Sequence, residues 1–129
     1  MKSMQFQIGD NKVDYEIYQK FDDLLREFDC LEFDFYFLVY DPTILQDIVI
    51  KFSNHFKKHN NLALIPFNVS EKTKNFSTLG SLLEKLLKAN ITRNSCLLAL
   101  GGGTLGNMVG LAAGLLYRGI NFIHLPTTI

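Results

Sequence analysis

The most definite chemical pattern in the chain is Leu98-Ala99-Leu100-Gly101-Gly102-Gly103-Thr104-Leu105-Gly106-Asn107. Gly101, Gly103 and Gly106 satisfy G-x-G-x-x-G between an apolar run that reads as a strand and one that reads as a helix, the context in which that spacing has chemical meaning. Small residues suit a backbone that must turn sharply, approach a pyrophosphate closely and aim the unpaired N–H groups of a helix start at it. Gly110 and Gly114 continue the four-residue spacing and leave one helix face bare for close packing. A tight turn with close helix–sheet packing and no ligand would use the same glycines, so both readings stay open here. A dinucleotide fold also needs an acid to hold the adenosine ribose. The strand after the turn ends in Pro126-Thr127-Thr128, so the candidate is Asp41, at the end of an earlier apolar run. Beside Pro42, Asp41 serves equally well as an acid at a helix N-terminus.

The other reactive side chains are less patterned. His55 and His59 have the i, i+4 spacing of a metal pair, but no Glu follows His55 and no third ligand is evident, so a solvated helix end is expected. His124 lies within an apolar strand, where a hydrogen-bonded core or strand-end role is expected. Cys30 and Cys96 form no CxxC pair, which fits a reduced, cytoplasmic protein. Cys96 reads as a small core residue. No Ser/His/Asp or Cys/His nucleophile arrangement is visible.

The elements that must position these residues follow from periodicity. Met4 to Ile8 and Val13 to Tyr18 alternate in polarity around Gly9-Asp10-Asn11-Lys12, which predicts an N-terminal β-hairpin. Phe21 to Phe28 predicts a short helix. Phe35 to Tyr40, Leu62 to Phe67, Cys96 to Leu100 and Phe122 to Leu125 predict strands, the first two buried on both faces. Helices are predicted from Pro42 to about His59, through Leu79, Leu82, Leu83, Leu86 and Leu87, and from Thr104 to Tyr117. The expected fold is α/β, a Rossmann-like parallel sheet flanked by helices, with right-handed crossovers.

Length allows one domain, residues 1–129. Thirteen basic and thirteen acidic residues cancel, so no net field recruits nucleic acid or an anionic membrane. The apolar stretch from Met108 to Tyr117 is about half of what a bilayer requires and contains glycines. The chain stops directly after a strand expected inside the sheet, and a truncated longer protein is the expectation.

Read as one block, Leu98 to Thr128 (LALGGGTLGNMVGLAAGLLYRGINFIHLPTT) resembles the dehydroquinate-synthase-like sugar phosphate cyclases. The three-glycine turn, the glycine-spaced helix, Arg118-Gly119-Ile120 and Pro126-Thr127-Thr128 come in that family's order and spacing. Glu71-Lys72-Thr73-Lys74 falls where the family carries an E-x-x-K nucleotide contact, and Asp41 where it carries a strand-end aspartate. The resemblance runs from about Phe35 to the end. The iron-type alcohol and glycerol dehydrogenases share the fold and a glycine-rich turn, but not the combination of Arg118-Gly119 with Pro126-Thr127-Thr128.

The resemblance implies an NAD-binding N-terminal domain without its metal-binding helical partner domain. Asp41 would hold the adenosine ribose, with Glu71 and Lys74 near the same end. Gly102, Gly103 and Thr104 would cradle the pyrophosphate through their backbone, and Asn107, Thr127 and Thr128 would face the nicotinamide end. Arg118 matches an arginine that reaches across a homodimer interface to the substrate phosphate, a task suited to a guanidinium because it grips phosphate with two parallel bonds. The divalent metal, zinc or cobalt, would be held only in the full-length protein, so the isolated chain is expected to be inactive towards a sugar phosphate. A stand-alone nucleotide-binding module without catalysis is the alternative. Two departures stand out: Ser70 occupies a position commonly glycine, and Asn107 stands where dehydroquinate synthases carry aspartate. GGGxxGN is more similar to the 2-deoxy-scyllo-inosose synthases.

Overall fold

The computed structural model describes the backbone of residues 2–8 and 11–17, and residues 21–43 and 46–127. The chain divides into two units, Met1–Glu32 and Phe33–Ile129. In the first, β1 (Lys2–Ile8) and β2 (Asn11–Ile17) pair antiparallel from Lys2 opposite Ile17 to Ile8 opposite Asn11, and α1 (Phe21–Phe28) follows. This is the expected hairpin; Gly9 and Asp10 at its turn lie outside the described residues.

The second unit holds β3 (Phe35–Tyr40), α2 (Gln46–Phe56), β4 (Leu62–Pro66), α3 (Phe76–Lys88), β5 (Ser95–Gly101), α4 (Gly103–Leu115), a three-residue 3-10 turn (Leu116–Arg118) and β6 (Asn121–Pro126). All four strands are parallel, in the order β4-β3-β5-β6. Period-two burial explains the layers. Phe37, Val39, Leu97 and Ala99 join one core with Leu79, Leu82 and Leu86 of α3 and Leu105, Met108, Val109 and Ala112 of α4. The intervening Tyr36, Leu38, Cys96 and Leu98 face the other way, where the Tyr36 ring meets Phe56 of α2 at 4.9 Å between centroids. The α2 crossover leads away from β5 and the α3 crossover leads back, so right-handed connections put the two helices on opposite faces. β5, with a neighbour on each side and a layer on each face, is buried along its whole length.

Three boundaries differ from expectation, each for a local reason. Pro42 does not open α2. Asp41 Oδ1 accepts the Thr43 N–H (2.9 Å) and the Thr43 hydroxyl (2.6 Å), an Asx-type turn that holds 41–43 off the helical path; residues 44–45 are outside the described set. At its other end α2 stops at Phe56, and Asn60 takes a left-handed φ of 48° with its N–H on Phe56 O at 3.1 Å. His55 is therefore helical and His59 is not, so the pair does not share a helix face. α4 ends at Leu115 instead of Tyr117, because Tyr117 (φ 49°), Arg118 (φ 67°) and Gly119 (φ 109°) turn left-handed in succession. Among the described residues β6 pairs with β5 alone, at one end of the four-strand order.

Candidate nucleotide-binding site

β3 leads out of the middle of the sheet towards β4, whereas β5 leads out towards β6 on the other side. The crevice at the C-terminal ends of β3 and β5 is therefore a topological switch point, where open α/β sheets take ligands. The backbone stays joined just past the strand ends. Asp41 N–H donates to Leu100 O (3.2 Å), Thr127 N–H to Gly101 O (3.0 Å) and Phe67 N–H to Tyr40 O (2.9 Å). Asp41, the glycine turn and Thr127 thus lie on three neighbouring strand ends. Thr128 is outside the described residues.

At the turn, Gly102 is the N-cap of α4 and makes no side-chain cap hydrogen bond. Its φ of −77° and ψ of −178° are ordinary extended values, so the backbone there does not demand glycine. The motif's other glycines then separate by what a Cβ would meet. At Gly101 it would stand 2.6 Å from Leu105 Cδ2, and at Gly106 2.3 Å from the His124 ring. At Gly110 it would touch Phe122 at 3.0 Å. Gly103 is exposed, with nothing within 4 Å of its Cβ position, and so is Gly114. Close helix–sheet packing therefore explains Gly106 and Gly110. It explains neither Gly103 nor Gly114.

The loop after β4 comes to the same turn. Ser70 N–H donates to Thr73 Oγ1 (2.9 Å) and Thr73 N–H to Ser70 O (3.0 Å), which closes a compact turn around Glu71. Glu71 Oε1 accepts the Thr104 hydroxyl at 2.5 Å, across 33 residues of sequence. Asn75 then caps α3 by accepting the Thr78 N–H at 2.9 Å. Between the starts of α3 and α4 opens a cavity of about 420 Å³, lined by Lys74, Asn75, Phe76, Leu79, Asn107, Met108 and Leu111. Glu71 and Lys74 are thus both brought to α4.

Arg118 does not join this group. It follows a 13-residue helix that starts at the strand C-termini, so at 1.5 Å per residue it lies roughly 20 Å from the glycine turn. Its side chain is exposed, and its corner is fixed by Gly119 N–H on Leu116 O (2.7 Å), Ile120 N–H on Ala113 O (3.0 Å) and Tyr117 OH on Ile91 O (3.1 Å).

Two side chains support the turn through contacts that local sequence does not reveal. His124 packs its ring beneath Gly106 and stacks on Phe122, with centroids 6.3 Å apart. Its buried Nε2 has no hydrogen-bond partner among the described residues, unlike the bonded role expected for it. Thr104 contributes its hydroxyl as well as its backbone. Cys96 is a core residue, as expected: desolvation pushes its thiol from 9.0 up to about 12, leaving no thiolate nucleophile near neutral pH. Among the described residues, no group of three or more His, Cys, Asp or Glu is placed to hold a metal ion, and no helix is long and apolar enough to cross a membrane.

Comparison with known proteins agrees with this geometry. The family described as "3-dehydroquinate synthase N-terminal" matches residues 64–129, just over half of the chain. The 2-deoxy-scyllo-inosose synthase of Niallia circulans is 36% identical over 97 residues, covering 75% of this chain and 26% of that protein. The 3-dehydroquinate synthase of Pelagibacter ubique is 34% identical over 122 residues, covering 95% and 31%. A crystal structure of 2-deoxy-scyllo-inosose synthase with carbaglucose-6-phosphate, NAD+ and Co2+ superposes with a TM-score of 0.83 at 28% identity, over 98% of this chain and 35% of that one. The chain belongs to the 3-dehydroquinate synthase-like sugar phosphate cyclases. It spans about a third of the length of that solved relative.

Proposed function

We propose that this chain is the NAD-binding part of a sugar phosphate cyclase. The observation that carries the reading is Gly103: an exposed glycine at the first position of α4, at the sheet's switch point, with open space where a Cβ would stand. No neighbour among the described residues requires it, and an anionic group brought against the helix N-terminus would. The N–H groups of Gly103 and Thr104, with Gly102, would hold a pyrophosphate. Asp41 can accept from a ribose hydroxyl through Oδ2 while Oδ1 stays in the Asx turn. Glu71 and Lys74 flank the cradle. Asn107 offers an amide donor on the cavity side and, with Thr127 and Thr128, would face the nicotinamide end.

What the cofactor supplies when bound is reversible hydride acceptance from a substrate hydroxyl. This chain's residues bind and orient it. Its described residues do not fit a divalent metal. Arg118 lies a helix length from its own cradle, which supports a role at the site of a second copy, gripping the phosphate of the substrate. The 129-residue chain assayed alone is expected to turn over neither a heptulosonate phosphate nor glucose 6-phosphate. Asn107 favours, within the family, a substrate other than the dehydroquinate precursor.

Titration calorimetry with NAD tests the core of this reading. Wild type should bind weakly. Gly103→Val should weaken binding at least about tenfold, and Asp41→Ala about ten- to a hundredfold, as for loss of a charge-assisted hydrogen bond of roughly 1.5–3 kcal/mol. Equal binding by wild type and Gly103→Val would show that the cradle is misassigned.

A further inference from the structure

We infer that Thr104 is a positioning residue whose hydroxyl fixes the Glu71 carboxylate as a hydroxyl acceptor beside the glycine turn. The inference rests on the nucleotide reading above but concerns a side chain which that reading uses only through its backbone.

The chain builds this contact from both sides. Ser70 and Thr73 close the turn that carries Glu71, and Asn75 anchors the following helix, so the backbone of 70–75 is held at both ends. Thr104 is the second residue of α4, where its backbone N–H belongs to the unsatisfied set at a helix start. Its hydroxyl points across the crevice to Glu71 Oε1 at 2.5 Å. Both side chains reach solvent, so this single bond contributes little to folding; surface hydrogen bonds of this kind exchange almost evenly with water.

The bond instead sets which way the carboxylate faces. A free glutamate side chain samples several rotamers, and ordering it on binding costs affinity. With Oε1 held by Thr104, Oε2 is left to accept from a ligand. A carboxylate repels phosphate oxygens but accepts from sugar hydroxyls, so the ligand group it recognises is a hydroxyl of a sugar diol and not the pyrophosphate. Thr104 would thereby tie the hydroxyl-accepting carboxylate to the same helix turn that offers N–H groups to the pyrophosphate.

The test compares two probes, NAD and inorganic pyrophosphate, the second of which has no diol. Thr104→Val keeps the shape and removes the hydroxyl. It should lower NAD affinity about fivefold, the effect of one hydrogen bond, and change pyrophosphate affinity by less than that, with the melting temperature as the check on folding. Thr104→Ser should restore NAD affinity to within about twofold. In a Glu71→Ala background, Thr104→Val should have no further effect. Equal NAD binding by Thr104→Val, or tighter binding of both probes, would overturn the positioning role, the latter by making Glu71 a competing anion. If wild type binds pyrophosphate but not NAD, the nucleotide reading fails and this inference falls with it. If Gly103→Val weakens NAD while Thr104→Val does not, only this inference fails.

Discussion

Helix α4 has opposite residue choices at its two ends. At its start, Gly102 has ordinary extended angles and Gly103 opens onto empty space, so the local backbone would accept other residues. At its end, Tyr117 and Arg118 occupy the left-handed region, where glycine or asparagine would be easier. Each end carries the residue that its own conformation does not favour. Under the proposed function the start would be kept clear for a pyrophosphate brought against it, and the end would keep a guanidinium for a substrate phosphate in spite of an unfavourable φ. The middle behaves differently, since Gly106 and Gly110 are fixed by the rings of His124 and Phe122.

This contrast can be broken by substitution. The largest effect is expected from Gly106→Ala, whose methyl would stand 2.3 Å from the His124 ring and force ring or helix to shift. Overpacking of this kind should cost about 2–3 kcal/mol in urea unfolding. A stable Gly106→Ala would mean that the glycine spacing is not a packing device. Next comes Arg118→Gly, which relieves a φ of 67° and should raise stability by up to about 1 kcal/mol, net of the added freedom of the unfolded chain. Loss of stability there would show that the arginine serves the fold, and the two ends of α4 would no longer contrast. The smallest effect is expected from Gly114→Ala, an exposed helical site with no neighbour within 4 Å, which should stabilise by about 0.5–1 kcal/mol.

Much of this was legible in the sequence because it is written in periods. The buried strands Phe35–Tyr40 and Ser95–Gly101 carry apolar residues on both faces, and the leucines of α3 repeat at helical spacing. The strand-end positions of the glycine turn and Asp41 were legible because residue types change abruptly at element boundaries. The boundaries themselves were less so. Pro42 looked like a helix opener, but the Asp41 side chain competed for the Thr43 N–H and delayed the helix. The contacts between Glu71 and Thr104, Tyr117 and Ile91, and Gly106 and His124 were out of reach. Each joins residues 18 or more apart, and nothing in the local pattern of either partner specifies the other.

The burial of Cys96 gives this chain an internal clock. Its thiol sits at 0% exposure in the central strand and is held protonated, while Cys30 is exposed. An alkylating reagent at neutral pH should therefore label Cys30 at once and reach Cys96 only when β5 separates from its neighbours. The slow phase then measures the opening of the strand that ends in Gly101. Anything that binds the closed form must slow it, by a factor of about a hundred when ligand stands at a hundred times its dissociation constant. Two thiols of one chain, one an immediate reference and the other a delayed reporter, would thus register occupancy of the glycine turn with no added label. If saturating NAD leaves the slow phase unchanged, the ligand is not held at the end of β5.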